Sequence, residues 1–297
     1  MFKALILGAA AGGGLPQWNC GCDNCNLARA GKIPSSTQSS LAISIDGERW
    51  VVLNASPDIR SQIADNPALH PTGLRESPIA AVLLTNGDID HVAGLLSLRE
   101  QQPFALHATG EIHEVLAANP LLNAVDPVRV PRVTIALDKE TTLLPGLTAT
   151  LFSVPGKVPL YMEGAEVKTD LEGEQTTGVH IHAEGRDIYY IPGCAAVTKR
   201  LAGRLKGADM VFFDGTLWRD DEMLEMGLSQ KTGKRMGHIS MSGPEGSIAA
   251  LRDLGIGRKV FVHMNNSNPV FRPDAGERAE AEAAGWIIGQ DGMELTL

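Results

Sequence analysis

The stretch LLTNGDIDHVAGLLSLRE, residues 83–100, joins a short apolar run to a helical pattern, and polar side chains crowd the junction. The apolar run ends at Thr85, and the helical pattern begins at His91. Polar groups gathered where a strand passes into a helix are typical of a metal or catalytic site. Taken alone, however, Asp90 could be a helix N-cap and His91 a surface histidine. The rest of the chain has to decide between these interpretations.

Length and composition describe a globular protein without a basic face. Of the 297 residues, 43% are hydrophobic and 21% are charged, so the chain can bury a substantial core. The net charge of −9 argues against nucleic-acid binding, and no apolar run reaches the roughly 18 residues that span a membrane. The apolar start at residues 2–7 predicts a buried strand rather than a signal peptide. We expect residues 1–297 to form a single cytoplasmic domain.

Hydrophobic patterning predicts strands interleaved with helices. Two hairpins are expected, at Asp46-Gly47 and at Glu184-Gly185. The predicted strands are 2–7, 41–45, 50–54, 79–84, 104–108, 133–137, 147–154, 179–183, 187–191, 210–214, 259–262 and 292–297. The predicted helices are 56–65, 91–100, 110–118, 197–205, 244–254 and 274–284. This order gives two strand-rich halves, each followed by helices, which favours two packed sheets between helices. Residues 158–177 are irregular and acidic, which predicts a mobile loop.

Three of the four cysteines are clustered as Cys-x-Cys-x-x-Cys, at Cys20, Cys22 and Cys25. In a reducing compartment this spacing favours metal binding over disulfides, and three thiolates this close can hold one zinc ion. Three buried free cysteines are the alternative. The neighbouring glycines do not form a nucleotide-binding pattern, because neither the P-loop nor the dinucleotide spacing is present.

Three further stretches place metal-binding or acid–base residues beside predicted strand ends. VFFDGTLW ends a strand at Asp214, and VFVHMNNSNP ends another at His263. MGHISMSG places His238 just before a predicted helix. Carboxylates and imidazoles that recur at strand C-termini indicate one site assembled along a sheet edge.

This layout resembles the metallo-β-lactamase fold superfamily over nearly the whole chain. The superfamily motif Thr-His-x-His-x-Asp-His matches residues 85–91, with Asn86 and Asp88 in place of its first two histidines. Gly156 and Gly193 stand near the places of its third-motif histidine and its bridging aspartate. The resemblance implies an α/β (α+β) fold, a four-layer αββα sandwich. The cysteine cluster resembles the zinc clasp of the phosphodiesterase branch.

Five longer sequence segments make the resemblance more specific: AAGGGLPQWNCGCDNC, NASPDIRSQ, DGTLWRDDEM, MGHISMSGPEG and HMNNSNP. They are similar to a branch of the superfamily that acts in biosynthesis of the quinone cofactor pyrroloquinoline quinone (PQQ). The matching metal ligands are Asp90, His91 and His263, which is the ligand set of non-haem Fe(II) oxygenases. The branch implies Fe(II)- and O2-dependent hydroxylation of the tyrosine-derived ring of a cross-linked Glu-Tyr precursor.

The resemblance and the chemistry of the side chains assign further roles. His238 matches a proton donor of the phosphodiesterase branch, and substrate orientation or a supporting hydrogen bond is its alternative role. Asp88 is expected to orient His91 or to bind a substrate amine. Arg60 is a candidate carboxylate anchor, and Asp214 is expected to hold loop amides behind the site.

At several positions this chain lacks a metal ligand that the superfamily has, and this affects what we expect of each metal site. Asn86 and the region around Gly156 are expected to be dispensable for iron. In the phosphodiesterase branch the fourth clasp ligand is a histidine that corresponds to Asn266 here. The fourth zinc position is therefore Asn266, another nearby group or water.

Three functions remain open at this point. The first is the iron hydroxylase, the second a zinc-dependent hydrolase with two metals, and the third a carrier that transports PQQ or its precursor without chemistry. Besides the precursor, the expected partners are other PQQ-pathway proteins and a second copy of the chain in a homodimer. Nucleic acid and membranes are not expected partners.

Overall fold

The computed structural model describes residues 1–100, 102–163, 168–169 and 171–297. Its strands are β1 Lys3–Gly8, β2 Ser40–Ser44, β3 Trp50–Leu53, β4 Ile79–Leu83, β5 Ala105–Ala108, β6 Arg132–Thr134, β7 Glu140–Leu144, β8 Leu147–Ser153, β9 Thr177–Ala183, β10 Arg186–Ile191, β11 Met210–Asp214, β12 Arg258–Val262, β13 Trp286–Ile288 and β14 Glu294–Thr296. Its α-helices are α1 Asp23–Arg29, α2 Ile59–Asp65, α3 Ile89–Val92, α4 Gly110–Ala117, α5 Lys199–Leu205, α6 Glu222–Glu225, α7 Gly233–Met236, α8 Ser247–Ala250 and α9 Gly276–Ala283. Short 3-10 turns lie at Pro67–Leu69, Ala93–Leu98, Pro120–Ala124, Leu160–Met162 and Pro269–Phe271.

The strands form two mixed sheets. The first has the order β14-β1-β2-β3-β4-β5-β6, and the second has the order β13-β12-β11-β10-β9-β8-β7. The chain completes most of one sheet before it begins the other, and only the last short strand returns to the first sheet. This mixed α/β arrangement of two packed sheets with helices confirms the predicted four-layer αββα sandwich.

Side-chain alternation along the strands builds the layers. In β1, Ala4 and Ile6 belong to a core that also holds Leu151 and Ile181 of the second sheet. Leu5 and Leu7 point the other way and belong to a second core shared with α2 and α4. Because successive strand residues face opposite sides, one strand contributes to both the inter-sheet layer and an outer layer. The outer face of the second sheet is covered in part by α5 and α9, which bury Leu201, Leu205 and Ala281.

Both predicted hairpins are present. Strands β9 and β10 pair antiparallel, with Ala183 opposite Arg186. The two turn residues, Glu184 and Gly185, both have positive φ, of 53° and 73°. Positive φ at both positions is the type I′ geometry that matches the right-handed twist of the flanking strands. At the β2–β3 hairpin, the Asp46 carboxylate accepts the amides of Glu48 and Arg49 and so closes the turn.

Several predicted element bounds were wrong. The helix expected over 91–100 begins earlier, as α3, and changes at Ala93 into a 3-10 turn. The chain is tight there, because a Cβ on Gly94 would lie 2.0 Å from the carbonyl oxygen of Ser56. Strands β7 and β13 were missed, because β7 is a partly exposed edge strand and β13 has only three residues. The loop predicted over 158–177 lies partly outside the described residues. In the described chain no helix is long and apolar enough to cross a membrane.

A buried histidine in the first sheet gives a testable pH dependence. His107, in β5, is 4% exposed, and its Nδ1 has no hydrogen-bond partner in the described structure. Burial, aided by His113 nearby, lowers the pKa of His107 to about 4. The folded protein therefore keeps this ring neutral, whereas the unfolded chain takes up a proton near pH 6.5. Stability should consequently be lost as the pH falls from about 6.5 towards 4.

Replacing His107 with glutamine tests this dependence. Urea unfolding at pH 7.5 and at pH 4.5 should show that the His107→Gln protein loses about 1–2 kcal/mol less over this range than the original chain. The difference between the two proteins isolates His107 from other titrating groups. Equal losses in both proteins would rule out His107 as the source.

Candidate metal centre

A cavity of about 290 Å³ lies where strands of both sheets end. β4 leads into the segment that carries Asn86, Asp90 and His91, and β12 leads directly into His263. Asp214 is the last residue of β11, which pairs in parallel with β12. Parallel strands end at the same edge of a sheet, so the fold brings together residues that are far apart in sequence. The expectation of one site along this edge agrees with the geometry.

Asp90, His91 and His263 converge in this cavity. His263 Nε2 lies 3.1 Å from Asp90 Oδ2, and His91 Nε2 lies 3.8 Å from the same oxygen. His91 and His263 are 2% and 5% exposed. His91 Nε2 is buried and has no hydrogen-bond partner in the described structure. An orphaned imidazole nitrogen beside a carboxylate and a second imidazole is what a bound cation would satisfy, so these residues fit a metal ion.

The electrostatic environment of Asp90, His91 and His263 favours an ionised carboxylate between the two imidazoles. Burial works to raise the pKa of Asp90, but His91 and His263 outweigh it and hold that pKa below its usual range. Burial lowers the pKa of His91 and so favours its neutral, ligating form. For His263, burial opposes protonation, yet the neighbouring Asp90 raises its pKa. Asp90 is thus a stable anion between two imidazoles.

Asn86, which was expected to be dispensable for iron, lies in this site and contacts a ligand residue. Its Oδ1 accepts from His91 Nδ1 at 2.6 Å and from the Asp88 amide at 2.9 Å. A hydrogen bond to one ring nitrogen fixes the tautomer and leaves the other nitrogen free to bind a metal. Asn86 therefore orients His91, which was one of the two roles expected of Asp88, the other being to bind a substrate amine. Asp88 is the N-cap residue of α3 and lines the cavity.

Thr216 supports His263, and sequence analysis missed it. Its Oγ1 lies 3.0 Å from His263 Nδ1 and 2.6 Å from Asp214 Oδ1. His263 donates to the hydroxyl, and the hydroxyl donates to the carboxylate. These hydrogen bonds hold His263 with its Nε2 directed at Asp90, although His263 has a φ of 57°, which is rare for a residue with a side chain. The spacing Asp-x-Thr after a strand is the signal that could have revealed it.

Asp214 is fully buried behind the site. Its carboxylate accepts the amides of Cys194 and Thr216, at 2.9 and 3.0 Å, as the sequence predicted. It also accepts from His238 Nδ1 at 2.7 Å. Burial pushes the pKa of Asp214 up, but His238 and His263 outweigh it and keep that pKa low. Asp214, His238 and His263 also lie close enough to form a possible metal group. However, hydrogen bonds already occupy both carboxylate oxygens of Asp214. We therefore interpret Asp214 as a residue that positions His238 and Thr216 rather than as a metal ligand.

The remaining site predictions have mixed outcomes. His238 lines the cavity, but the helix expected just after it begins only at Ser247. Gly156 and Gly193 line the cavity with no metal-binding side chain. Arg60 is exposed on α2 and is absent from the described cavity wall, because α2 buries Ile59 and Gln62 instead. The basic side chains that line the cavity are Lys157 and Lys231, which sequence analysis did not single out.

The cysteine cluster forms a second candidate metal site. All described cysteines are free thiols, and Cys20, Cys22 and Cys25 place their sulfur atoms within 4.8 Å of one another. Asn266 Nδ2 faces all three sulfurs, at 3.2, 3.5 and 3.3 Å. A rotation of this amide would present its oxygen to an ion held by the thiolates. The three thiolates therefore fit zinc, and Asn266 is the side chain beside the fourth position, which another nearby group or water could also fill.

The cysteine cluster is tied to the cavity loop. Asn24, on α1, donates to the carbonyl oxygens of Asn266 and Asn268, both at 2.9 Å. These residues lie in the loop that begins at His263. Contacts at the cysteine cluster therefore help to fix the backbone of the loop that begins at His263.

Comparisons with known proteins agree with this fold. The family model described as "Beta-lactamase superfamily domain" matches residues 49–264. A curated relative from Ruegeria pomeroyi, named coenzyme PQQ synthesis protein B, is 57% identical over 295 residues, which cover 99% of this chain and 100% of the relative. The crystal structure of Zn(2+)-bound PqqB from Methylobacterium extorquens has a TM-score of 0.98 and 56% identity, with 99% and 100% coverage of the two chains. A diphosphatase of the PhnP family, with 18% identity, a TM-score of 0.71 and coverage of 99% and 96%, is similar in fold alone.

Proposed function

The chain belongs to the coenzyme PQQ synthesis protein B family, within the beta-lactamase superfamily, and on that basis we propose that it acts in PQQ biosynthesis as a metal-dependent enzyme. The proposed reaction is Fe(II)- and O2-dependent hydroxylation of the tyrosine-derived ring of a cross-linked Glu-Tyr precursor. The same membership supports a cytoplasmic location and contacts with other proteins of the pathway.

The convergence of Asp90, His91 and His263 carries the proposal. Two imidazoles and one carboxylate are the ligands of non-haem Fe(II) oxygenases, which keep positions open for oxygen and substrate. At the four places where a second ion would need ligands, the described chain has Asn86, which is bonded to His91, the carboxylate of Asp88, and the glycines at 156 and 193, so three of the four expected ligands are missing. A hydrolase with two metals requires both ligand sets.

The side chains around the triad have separate roles. Fe(II) bound by Asp90, His91 and His263 would supply the oxygen chemistry that converts a ring C–H into C–OH. Dioxygen takes up four electrons in this reaction, two from the ring and two from an external reductant, and yields water as the second product. Because Asp214 holds His238 Nδ1, the Nε2 of His238 is the nitrogen left to exchange a proton with a bound phenol. Met223 and Met236 provide apolar wall for the ring.

A zinc-dependent hydrolase is the second candidate. The similar structure from Methylobacterium extorquens binds zinc, and the half-buried His238, hydrogen-bonded to the buried Asp214, would suit a hydrolase acid. This function predicts turnover of an ester or peptide without oxygen.

Metal loading under controlled oxygen tests the proposal. The protein is loaded with Fe(II) without oxygen, and then oxygen, ascorbate and a tyrosine-containing dipeptide are added. We expect mass spectrometry to show a catechol product, with the new oxygen atom derived from labelled O2. A matched zinc-loaded sample should give none. Hydrolysis by the zinc form, or binding without any product in the iron form, would favour the hydrolase or the carrier instead.

A further inference from the structure

The cavity also contains a cluster of charged side chains outside the metal ligands. Lys157, Lys231 and Glu163 all line the cavity. Lys157 directly follows Gly156, and its side chain is only 13% exposed. Lys231 lies just before α7 and is 39% exposed. An amphipathic lysine at the surface normally keeps its ammonium in water, so a largely buried one facing a cavity requires an explanation.

Glu163 is the shared counter-ion of this cluster. Its carboxylate, 9% exposed, lies 2.9 Å from Lys157 Nζ and 3.7 Å from Lys231 Nζ. Arg235, on α7, contacts it at 3.3 Å. Burial acts to raise the pKa of Glu163, but Lys157 outweighs it and keeps the carboxylate ionised. Three cations against one carboxylate leave two positive charges uncompensated within this cluster.

The excess charge is poorly explained as a loop latch alone. One carboxylate and one cation would hold two segments together, and Lys231 and Arg235, each 39% exposed, add positive charge that such a latch does not require. In addition, Arg235 Nη1 is buried without a hydrogen-bond partner in the described structure. A bound anion would stabilise the two uncompensated cations by charge-assisted hydrogen bonds.

We propose that Lys157 and Lys231 form a subsite for the carboxylate groups of the cavity's ligand, with Glu163 as the counter-ion in its absence. The ligand class is an aromatic compound that carries carboxylates. The proposal rests on the proposed function, because it assumes that such a compound enters the cavity that contains Asp90, His91 and His263. It adds the residues that would bind the carboxylates. It replaces Arg60 as the carboxylate anchor.

Two dipeptides of matched size test the subsite by binding alone. Glutamyl-tyrosine carries a phenol and two carboxylates, whereas glutaminyl-tyrosine amide carries neutral amides in their place. Calorimetry on the metal-containing protein without oxygen measures both, so a failure of hydroxylation would leave this result unaffected. We expect the acidic dipeptide to bind about tenfold more tightly, and its affinity to fall as salt is added.

Three variants and one control locate the charge. Lys157→Met should weaken binding of the acidic dipeptide about tenfold and leave the amide nearly unchanged, while Lys231→Met should have a smaller effect in the same direction. Glu163→Gln should strengthen binding of the acidic dipeptide. The control is Lys234→Met, which removes the same charge from an exposed residue of α7 outside this cavity.

Some outcomes would overturn the subsite. If the lysine variants lost equal affinity for both dipeptides, the lysines would act only on the structure. If Lys234→Met weakened binding of the acidic dipeptide as much as Lys157→Met, the effect would come from the overall charge of the protein. Unchanged binding in both lysine variants would refute the proposal directly. Because Lys231 is partly exposed, its variant remains informative if Lys157→Met fails to fold.

Discussion

His263→Ala is expected to abolish oxygen-dependent hydroxylation and to release the active-site iron. The imidazole faces Asp90 Oδ2 at 3.1 Å, and its ring is held by Thr216, so its removal takes away one of the three ligands. Loss of an outer hydrogen-bond partner typically lowers metal affinity about 10–100-fold, and loss of a direct ligand should cost more. His91→Ala should have the same result. Iron content and catechol formation are the two measurements.

Variants at Asn86 provide a graded comparison. Asn86→Ala removes the acceptor of His91 Nδ1 and should lower iron affinity about 10–100-fold without removing a ligand. Asn86→His restores only one residue of the lost ligand set, so it should not create a hydrolase with two metals. His70→Ala, which changes an exposed histidine, is the control and should retain full activity. Full hydroxylation by His263→Ala, or robust phosphodiesterase turnover by the unchanged protein, would falsify the mononuclear-iron proposal.

Cys22→Ser is expected to release about one zinc per chain and to lower the melting temperature on the order of 10 °C. Structural zinc contributes its binding free energy directly to folding. Cys22 is buried, and burial raises the pKa of its thiol to about 11. A bound ion is needed to stabilise the thiolate there. The measurements are metal content and thermal unfolding.

Cys194→Ser is the matched control for this variant. Cys194 is also a buried free thiol, but its sulfur contacts the Ala196 carbonyl and lies outside the cluster. Its replacement should leave the zinc content unchanged. The triple variant at positions 20, 22 and 25 should also weaken iron binding, because Asn24 and Asn266 link α1 to the His263 loop. A triple variant that kept both its melting temperature and its metal would exclude the zinc site.

The sequence alone predicted the sandwich and most of its elements. Strand alternation and turn residues are local signals, so the hairpins at Asp46-Gly47 and Glu184-Gly185 could be found without coordinates. The resemblance of residues 85–91 and of the histidine at the end of β12 to the superfamily's motifs implied one candidate ligand set. Short or exposed strands such as β7 and β13 escaped, because their patterns are too weak to distinguish from loops.

Only the tertiary structure decided which partners these residues have. Asn86 appeared to be a lost ligand, yet it holds His91; Arg60 appeared to face the substrate, yet it points outward from α2. Lys157 and Glu163 carried no motif, although they meet in the cavity. Spacing along the chain specifies which atoms are available within one segment. Contacts between segments far apart in sequence depend on how the two sheets pack and where their strands end, and local patterning does not contain that information.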